Sequence, residues 1–201
     1  MSRTVSVVTL VLLAGAGLGL TYVVQRASAP QIASEQTLLD SRKLLDVLAA
    51  DAYDNQPLEQ PLALTDATLS HSKLLAGYRA SKAGQPVAVL LRTQTEGYAG
   101  VIELLIAIDA NGRLLGVKTL RHNETPALGG RIGDWPNHWL ATFTGQSRHA
   151  PDNAGWALKK DQGQFDQLAG ATITSRATVN AIHDALRYFD EHRATLLGIG
   201  S

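Results

Sequence analysis

The 201-residue chain contains no cysteine. That excludes disulfides, thiolate catalysis and cysteine-ligated iron–sulfur clusters, so any redox chemistry must come from an organic cofactor or a differently ligated metal. Absence of thiols is compatible with an oxidising compartment without demanding one. Excess charge is missing too, since 18 basic residues balance 18 acidic ones; a nucleic-acid partner, which needs a basic footprint, is not expected. The six histidines (His71, His122, His138, His149, His183 and His192) show no i, i+4 pairing or other ligand spacing. No metal site is expected; His122 and Glu124 are the closest histidine–carboxylate pair in a loop. No Gly-x-Gly-x-x-Gly turn appears after a strand, which counts against a free-standing reductase with its own nicotinamide site.

Long uncharged sequence occurs once. Residues 4–25, between Arg3 and Arg26, are mostly Val, Leu, Ala and Gly. As a helix rising ~1.5 Å per residue they span a ~30 Å hydrocarbon core. A cleaved signal peptide is the competing reading, because Ala27-Ser28-Ala29 fits a small-x-small cleavage site. The run exceeds the ~7–15 residues of a signal core, and Pro30 directly follows the site, so an uncleaved anchor is favoured. Arg3 and the amino terminus oppose Arg26, Arg42 and Lys43, which specifies orientation only weakly; a short cytoplasmic tail with the bulk outside is the simpler topology. The length suits one domain plus this anchor. The expected plan is an anchor over 1–26, a juxtamembrane helix and linker over 27–60, and a folded domain over 61–201.

Residues 31–52 have a helical pattern, with Leu38, Leu45 and Leu48 or Ala49 recurring near one face. They form either a stalk or partner-facing helix, or a helix packed on its own domain. Pro57, Pro61 and the polar stretch 53–60 read as a linker. Strand signals follow at 87–91, 101–108 and 114–120, separated by the turn Gly97-Tyr98-Ala99-Gly100 and the hairpin signal Asp109-Ala110-Asn111-Gly112. Together they predict an antiparallel meander. A loop over 121–130 leads to a short helical or irregular stretch holding Trp135 and Trp139. Residues 156–158 read as a return strand, ending in Lys159-Lys160 and the turn Asp161-Gln162-Gly163. The last element is a helix over about 175–192, whose stripe Val179, Ile182, Leu186 and Phe189 is core packing. The expected fold class is α+β, an antiparallel sheet with flanking helices, preceded by a single N-terminal transmembrane helix.

Two segments stand out as chemistry. In Asp166-Gln167-Leu168-Ala169-Gly170-Ala171-Thr172-Ile173-Thr174-Ser175 a hydroxyl sits on a small-residue turn ahead of the final helix. Asp166 can organise the turn through its carboxylate, and Gly170 and Ala171 leave the backbone open to close approach. With Thr174 or Ser175 as the expected N-cap, Thr172 lies near exposed helix N–H groups, where a phosphate is favoured. A bland loop entering a capped helix has the same pattern. The second segment is Glu124-Thr125-Pro126-Ala127-Leu128-Gly129. Pro126 stiffens it, Gly129 and Gly130 permit unusual backbone angles, and Leu128 supplies an apolar surface for a flat aromatic ligand; an ordinary Pro/Gly loop is the alternative.

The first segment resembles the flavinylation motif of FMN-binding domains, Asp-x-x-(Ser/Thr)-Gly-Ala-Thr, with Ala169 where a hydroxyl residue is usual. The second is similar to the Glu-Thr-Pro-Gly-Leu-Gly loop of the G subunits of the Rnf (also called Rsx) electron-transport complex, with Ala127 in place of the first Gly. Gly97-Tyr98-Ala99-Gly100-Val101-Ile102, Asn111-Gly112 and Trp156-Ala157-Leu158-Lys159-Lys160 extend the likeness over most of residues 75–190. The C subunit of the sodium-translocating NADH:quinone reductase is a more distant resemblance.

The resemblance implies one FMN per chain, held by a phosphoester to Thr172, with the 124–129 loop beside the isoalloxazine ring. It implies cofactor contacts from Asp166, Gly170, Ala171, Thr174, Glu124, Thr125, Leu128 and Gly129. Lys159 and Lys160 are candidates to neutralise the phosphate, as lysine acts on phosphate as a point charge. Asp166 is a candidate to serve the flavin transferase that the family implies, an enzyme using FAD and magnesium. No catalytic residue is implied. The implied role is electron relay in a membrane complex, with the anchor in the bacterial inner membrane and the flavin domain on the periplasmic side, and other subunits of an ion-translocating oxidoreductase as partners. A non-redox anchored binding or assembly module is the competing class.

Overall fold

The apolar run over 101–108, rich in β-branched residues, builds an inner strand of an antiparallel meander. This computed structural model describes residues 45–65 and 67–199. Strands β1 (Lys73–Lys82), β2 (Gln85–Glu96), β3 (Val101–Asp109) and β4 (Leu114–Arg121) lie in the order β1-β2-β3-β4. Side chains of a strand alternate between faces. Accordingly Ile102, Leu104, Ile106 and Ile108 of β3 join Val89 and Leu91 of β2 in the inner core, while Leu105, Ala107 and Leu90 face outward into a smaller cluster. Both expected turns are present. Gly97 N–H donates to Gly100 O (2.8 Å) between β2 and β3, and Gly112 N–H donates to Asp109 O (3.0 Å) between β3 and β4.

Across the inner face lies the long helix α2 (Thr172–Leu197), introduced by the short helix α1 (His138–Ala141) and the 3₁₀ turns Gly129–Gly133 and Lys159–Asp161. Val179, Ile182, Leu186 and Phe189 of α2 are each at most 1% exposed and belong to the inner core. Burying each such side chain stabilises the fold by about 1.5–3 kcal/mol before entropy is charged against it.

Several expectations need correction. Helix α2 begins at Thr172, not near Ser175, and its N-cap is Ala171, which has no side chain to cap with. Thr174 and Ser175 are not caps; they are fully buried in the first turn. The helix also extends past His192, where the backbone turns non-helical (φ −118°, ψ 17°), to Leu197. The last turn persists because Leu196 and Leu197 are buried and Arg79 of β1 binds its carbonyls, Nε to Leu196 O (2.7 Å) and Nη2 to Thr195 O (3.1 Å).

Residues 156–158 do not form a strand. Trp156 is buried instead, stacked on His183 (centroids 5.2 Å apart) and tilted against Phe165 (5.0 Å). Only a single parallel bridge, Leu158 to Phe165, remains of the expected pairing. The expected anchor (4–25) and most of the expected helix over 31–52 lie outside the described residues. Within the described part of that helix, residues 46–52 are turns, because Leu45, Val47 and Leu48 all fold onto the outer face of the sheet, a set that one helical stripe cannot present. No helix among the described residues is long and apolar enough to cross a membrane.

Candidate functional site

The N-terminus of α2, the β2–β3 turn and the loop after β4 converge on one end of the sheet. They enclose a cavity of about 370 Å³ lined by Tyr98, Glu124, Thr125, Leu128, Gly129 and residues 170–174. Eight of the residues named from sequence are thus brought together: Glu124, Thr125, Leu128, Gly129, Gly170, Ala171, Thr172 and Thr174. Lys159, Lys160 and Asp166 are not in its lining.

Glu124 ties the three pieces together. Its side chain is buried, with Oε1 accepting Ala99 N–H (3.0 Å) and Oε2 accepting the Thr174 hydroxyl (2.5 Å). The slot exists because two neighbours lack side chains: a Cβ on Gly97 would lie 2.3 Å from Oε1, and one on Gly129 2.6 Å from Oε2. One carboxylate therefore joins the β2–β3 turn to the loop and to the first turn of α2, where sequence places Glu124 only along a loop.

The turn before α2 is organised by Ser175 and not by Asp166. Ser175 Oγ accepts Leu168 N–H (3.0 Å) and donates to Ala171 O (2.8 Å), while Ala171 N–H donates to Leu168 O (3.0 Å). The Asp166 carboxylate pairs with Lys159 Nζ (2.7 Å) at the surface, and its backbone carbonyl accepts Trp139 Nε1–H (2.7 Å). Gly170 takes the left-handed backbone (φ +70°) that the turn requires, against Leu128.

Four hydroxyls crowd this helix end, and three are fully buried. Thr174, Ser175 and Thr178 are fully buried; Thr178 Oγ1 donates to Thr174 O (2.9 Å). Thr172, the first helical residue, is half-buried at the cavity wall. Its Oγ1 donates to Gln167 Oε1 (2.9 Å) and accepts from Lys160 Nζ (3.4 Å). The first N–H groups of a helix have no intrahelical acceptor and carry the positive end of its dipole, and Ala171 offers them no side-chain acceptor. These N–H groups place partial positive charge at the Thr172 end of the cavity.

The large apolar side chains of the wall are exposed. Tyr98 is 71% exposed, Ile173 50% and Leu128 45%. A planar aromatic ligand with a phosphate tail fits this donor set: apolar walls for the ring, helix N–H groups and one lysine for the phosphate, in a volume within the ~300–1,000 Å³ usual for small-molecule sites. Tyr98, Ile173 and Gln167 are not among the site residues expected from sequence. Tyr98 carries a signal, an aromatic at the tip of a glycine-bounded turn; Gln167 carries none. Among the described residues no group of three or more metal-ligating side chains is assembled.

Residues 97–187 match the FMN-binding domain family. The G subunit of the ion-translocating oxidoreductase complex of Pseudomonas aeruginosa is 44% identical over 183 residues, covering 90% of this chain and 86% of that protein. Its counterpart from Shewanella loihica is 42% identical over 180 residues, covering 89% and 85%. The crystal structure of Shewanella oneidensis NqrC aligns with a TM-score of 0.47 at 20% identity, covering 75% of this chain and 76% of that one.

Proposed function

This chain belongs to the family of G subunits of ion-translocating oxidoreductase complexes, and on that premise we propose that it carries one FMN, esterified through its phosphate to Thr172, and relays electrons within an Rnf-type complex. The observation that carries the attachment point is the contrast in burial among the hydroxyls: Thr172 is half-buried at the cavity wall, whereas Thr174, Ser175 and Thr178 are fully buried.

The FMN, once attached, supplies a ring system that takes up and releases one or two electrons. The chain's residues bind and orient it. Lys160 and the first N–H groups of α2 offset the phosphate charge. Tyr98, Leu128 and Ile173 give the ring apolar surface, and Glu124 holds their three supporting segments in register. A covalent link retains the cofactor on a domain outside the cytoplasm, where no FMN pool can be assumed. In this reading residues 4–25 anchor the chain in the inner membrane, the flavin domain faces the periplasm, a flavin transferase installs the cofactor, and the partners are the other subunits of the complex.

The test uses the full chain made in a host that contains the transferase. Wild type is expected to fluoresce as a flavin band after denaturation, and Thr172→Ala to lose that band while unfolding at nearly the same temperature, since a surface hydroxyl contributes little stability. A Thr172→Ala protein that still fluoresces after denaturation contradicts the attachment point. A wild-type protein without fluorescence contradicts covalent FMN and favours the assembly-module reading.

A further inference from the structure

Three consecutive residues of the 3₁₀ turn Lys159–Asp161 each grip the segment around Thr172. Lys159 Nζ binds Asp166 Oδ2 (2.7 Å), Lys160 Nζ reaches Thr172 Oγ1 (3.4 Å), and Asp161 takes a two-pronged pair from Arg176, Nε to Oδ2 (2.9 Å) and Nη2 to Oδ1 (3.0 Å). Between those grips the Thr172 hydroxyl hydrogen points at Gln167 Oε1 (2.9 Å). A threonine hydroxyl has one hydrogen and two lone pairs. With the hydrogen committed to Gln167 and one lone pair facing Lys160, the second lone pair is free to act as a nucleophile.

We propose that Gln167 is a positioning residue for modification of Thr172: it orients the hydroxyl for attack on an activated flavin phosphate, with Lys160 as the neighbouring cation. The inference rests on the reading of Thr172 given above. In the step, Thr172 Oγ1 forms a bond to the flavin-side phosphorus of a flavin dinucleotide. The anhydride P–O bond breaks, and its electron pair leaves with the nucleoside monophosphate. The hydroxyl proton passes to a base of the modifying enzyme, because a neutral amide oxygen orients a proton but does not keep it. Nothing is oxidised or reduced. Lys160 faces the oxygen at which the phosphate arrives, where a cation stabilises the charge that develops in phosphoryl transfer.

Gln167 is exposed, so its replacement leaves the core intact. The account predicts a defect in rate and not in recognition. Loss of one orienting hydrogen bond is worth up to about tenfold in rate. The test is flavin attachment to the purified full-length chain by a flavin transferase with FAD and magnesium, followed by in-gel fluorescence after denaturation at several acceptor concentrations. Gln167→Ala is expected to lower kcat for attachment about tenfold with little change in the KM for the acceptor chain, at an unchanged melting temperature. Gln167→Glu, which restores an acceptor oxygen, is expected to recover most of that rate. Equal kcat for wild type and Gln167→Ala, or a change confined to KM, overturns the positioning role. Wild-type chain that is not labelled at Thr172 at all overturns instead the attachment reading on which it rests.

Discussion

Ala127 shows how much a single position carries. It stands where the resembling loop has glycine, and its backbone is left-handed (φ +62°). Such a conformation costs an L-residue about 1–2 kcal/mol, partly offset by the lower chain entropy alanine brings to the unfolded state. Ala127→Gly is therefore expected to raise the unfolding free energy by about 0.5–1 kcal/mol in denaturant titration; an unchanged or lower value contradicts strain at this residue. The four hydroxyls at the start of α2 make a related point. Sequence singles out Thr172 by motif and reads Thr174 or Ser175 as a cap; the structure separates them by burial instead, with Thr174, Ser175 and Thr178 fully buried. Thr174 in particular is legible as a polar residue near a helix end, but not as the donor to a buried Glu124, because that contact joins residues 50 apart.

Arg79 belongs to the scale of elements, because it fastens the end of one to the edge of another. Beyond the non-helical His192, the final turn of α2 has its carbonyls at Thr195 and Leu196 bound by this one guanidinium. Arg79→Ala is expected to speed amide exchange over residues 193–197 and to lower stability by about 1 kcal/mol. Unchanged protection there would show that the buried Leu196 and Leu197 suffice. Legibility in sequence follows the same division between local and distant causes. Both hairpin turns, the strands they join and the core stripe of α2 follow from local pattern and turn chemistry. Strand β1 escapes a reading by pattern because its burial does not alternate: its pairing with β2 shifts register between Leu74 and Ala76 and again between Ala80 and Ser81. Local pattern places the start of α2 too late because Ser175 resembles a cap but spends its hydroxyl on Leu168 and Ala171. The segment 156–158 reads as a strand because a tryptophan in an aromatic cluster and a tryptophan in a strand have the same local sequence.

For the whole molecule, stability should depend on pH through His183. Burial holds its pKa below the ordinary value, partly opposed by the charge of Asp184, and its Nε2 has no hydrogen-bond partner. The unfolded chain takes up this proton near pH ~6.5, the folded chain only at lower pH. Stability from neutral His183 is thus complete above that range and is lost as pH falls through the folded value. The unfolding free energy should decline as the pH falls below the ordinary histidine value of about 6.5, and His183→Phe should flatten that decline; equal slopes in both proteins would contradict it. Glu103 acts lower on the scale: its bond from Arg92 lowers its pKa against the opposing effect of burial, so its share is lost as the solution becomes acidic enough to protonate it. The central claim, that this family member carries its flavin on Thr172, is reached most directly by peptide mass mapping. Cleavage after Lys160 and Arg176 releases residues 161–176, which contain three hydroxyls, at Thr172, Thr174 and Ser175. Fragmentation of that peptide from the native full-length protein is predicted to place the FMN mass on Thr172. An FMN mass on Thr174 or Ser175, or a peptide that carries none, would contradict the account.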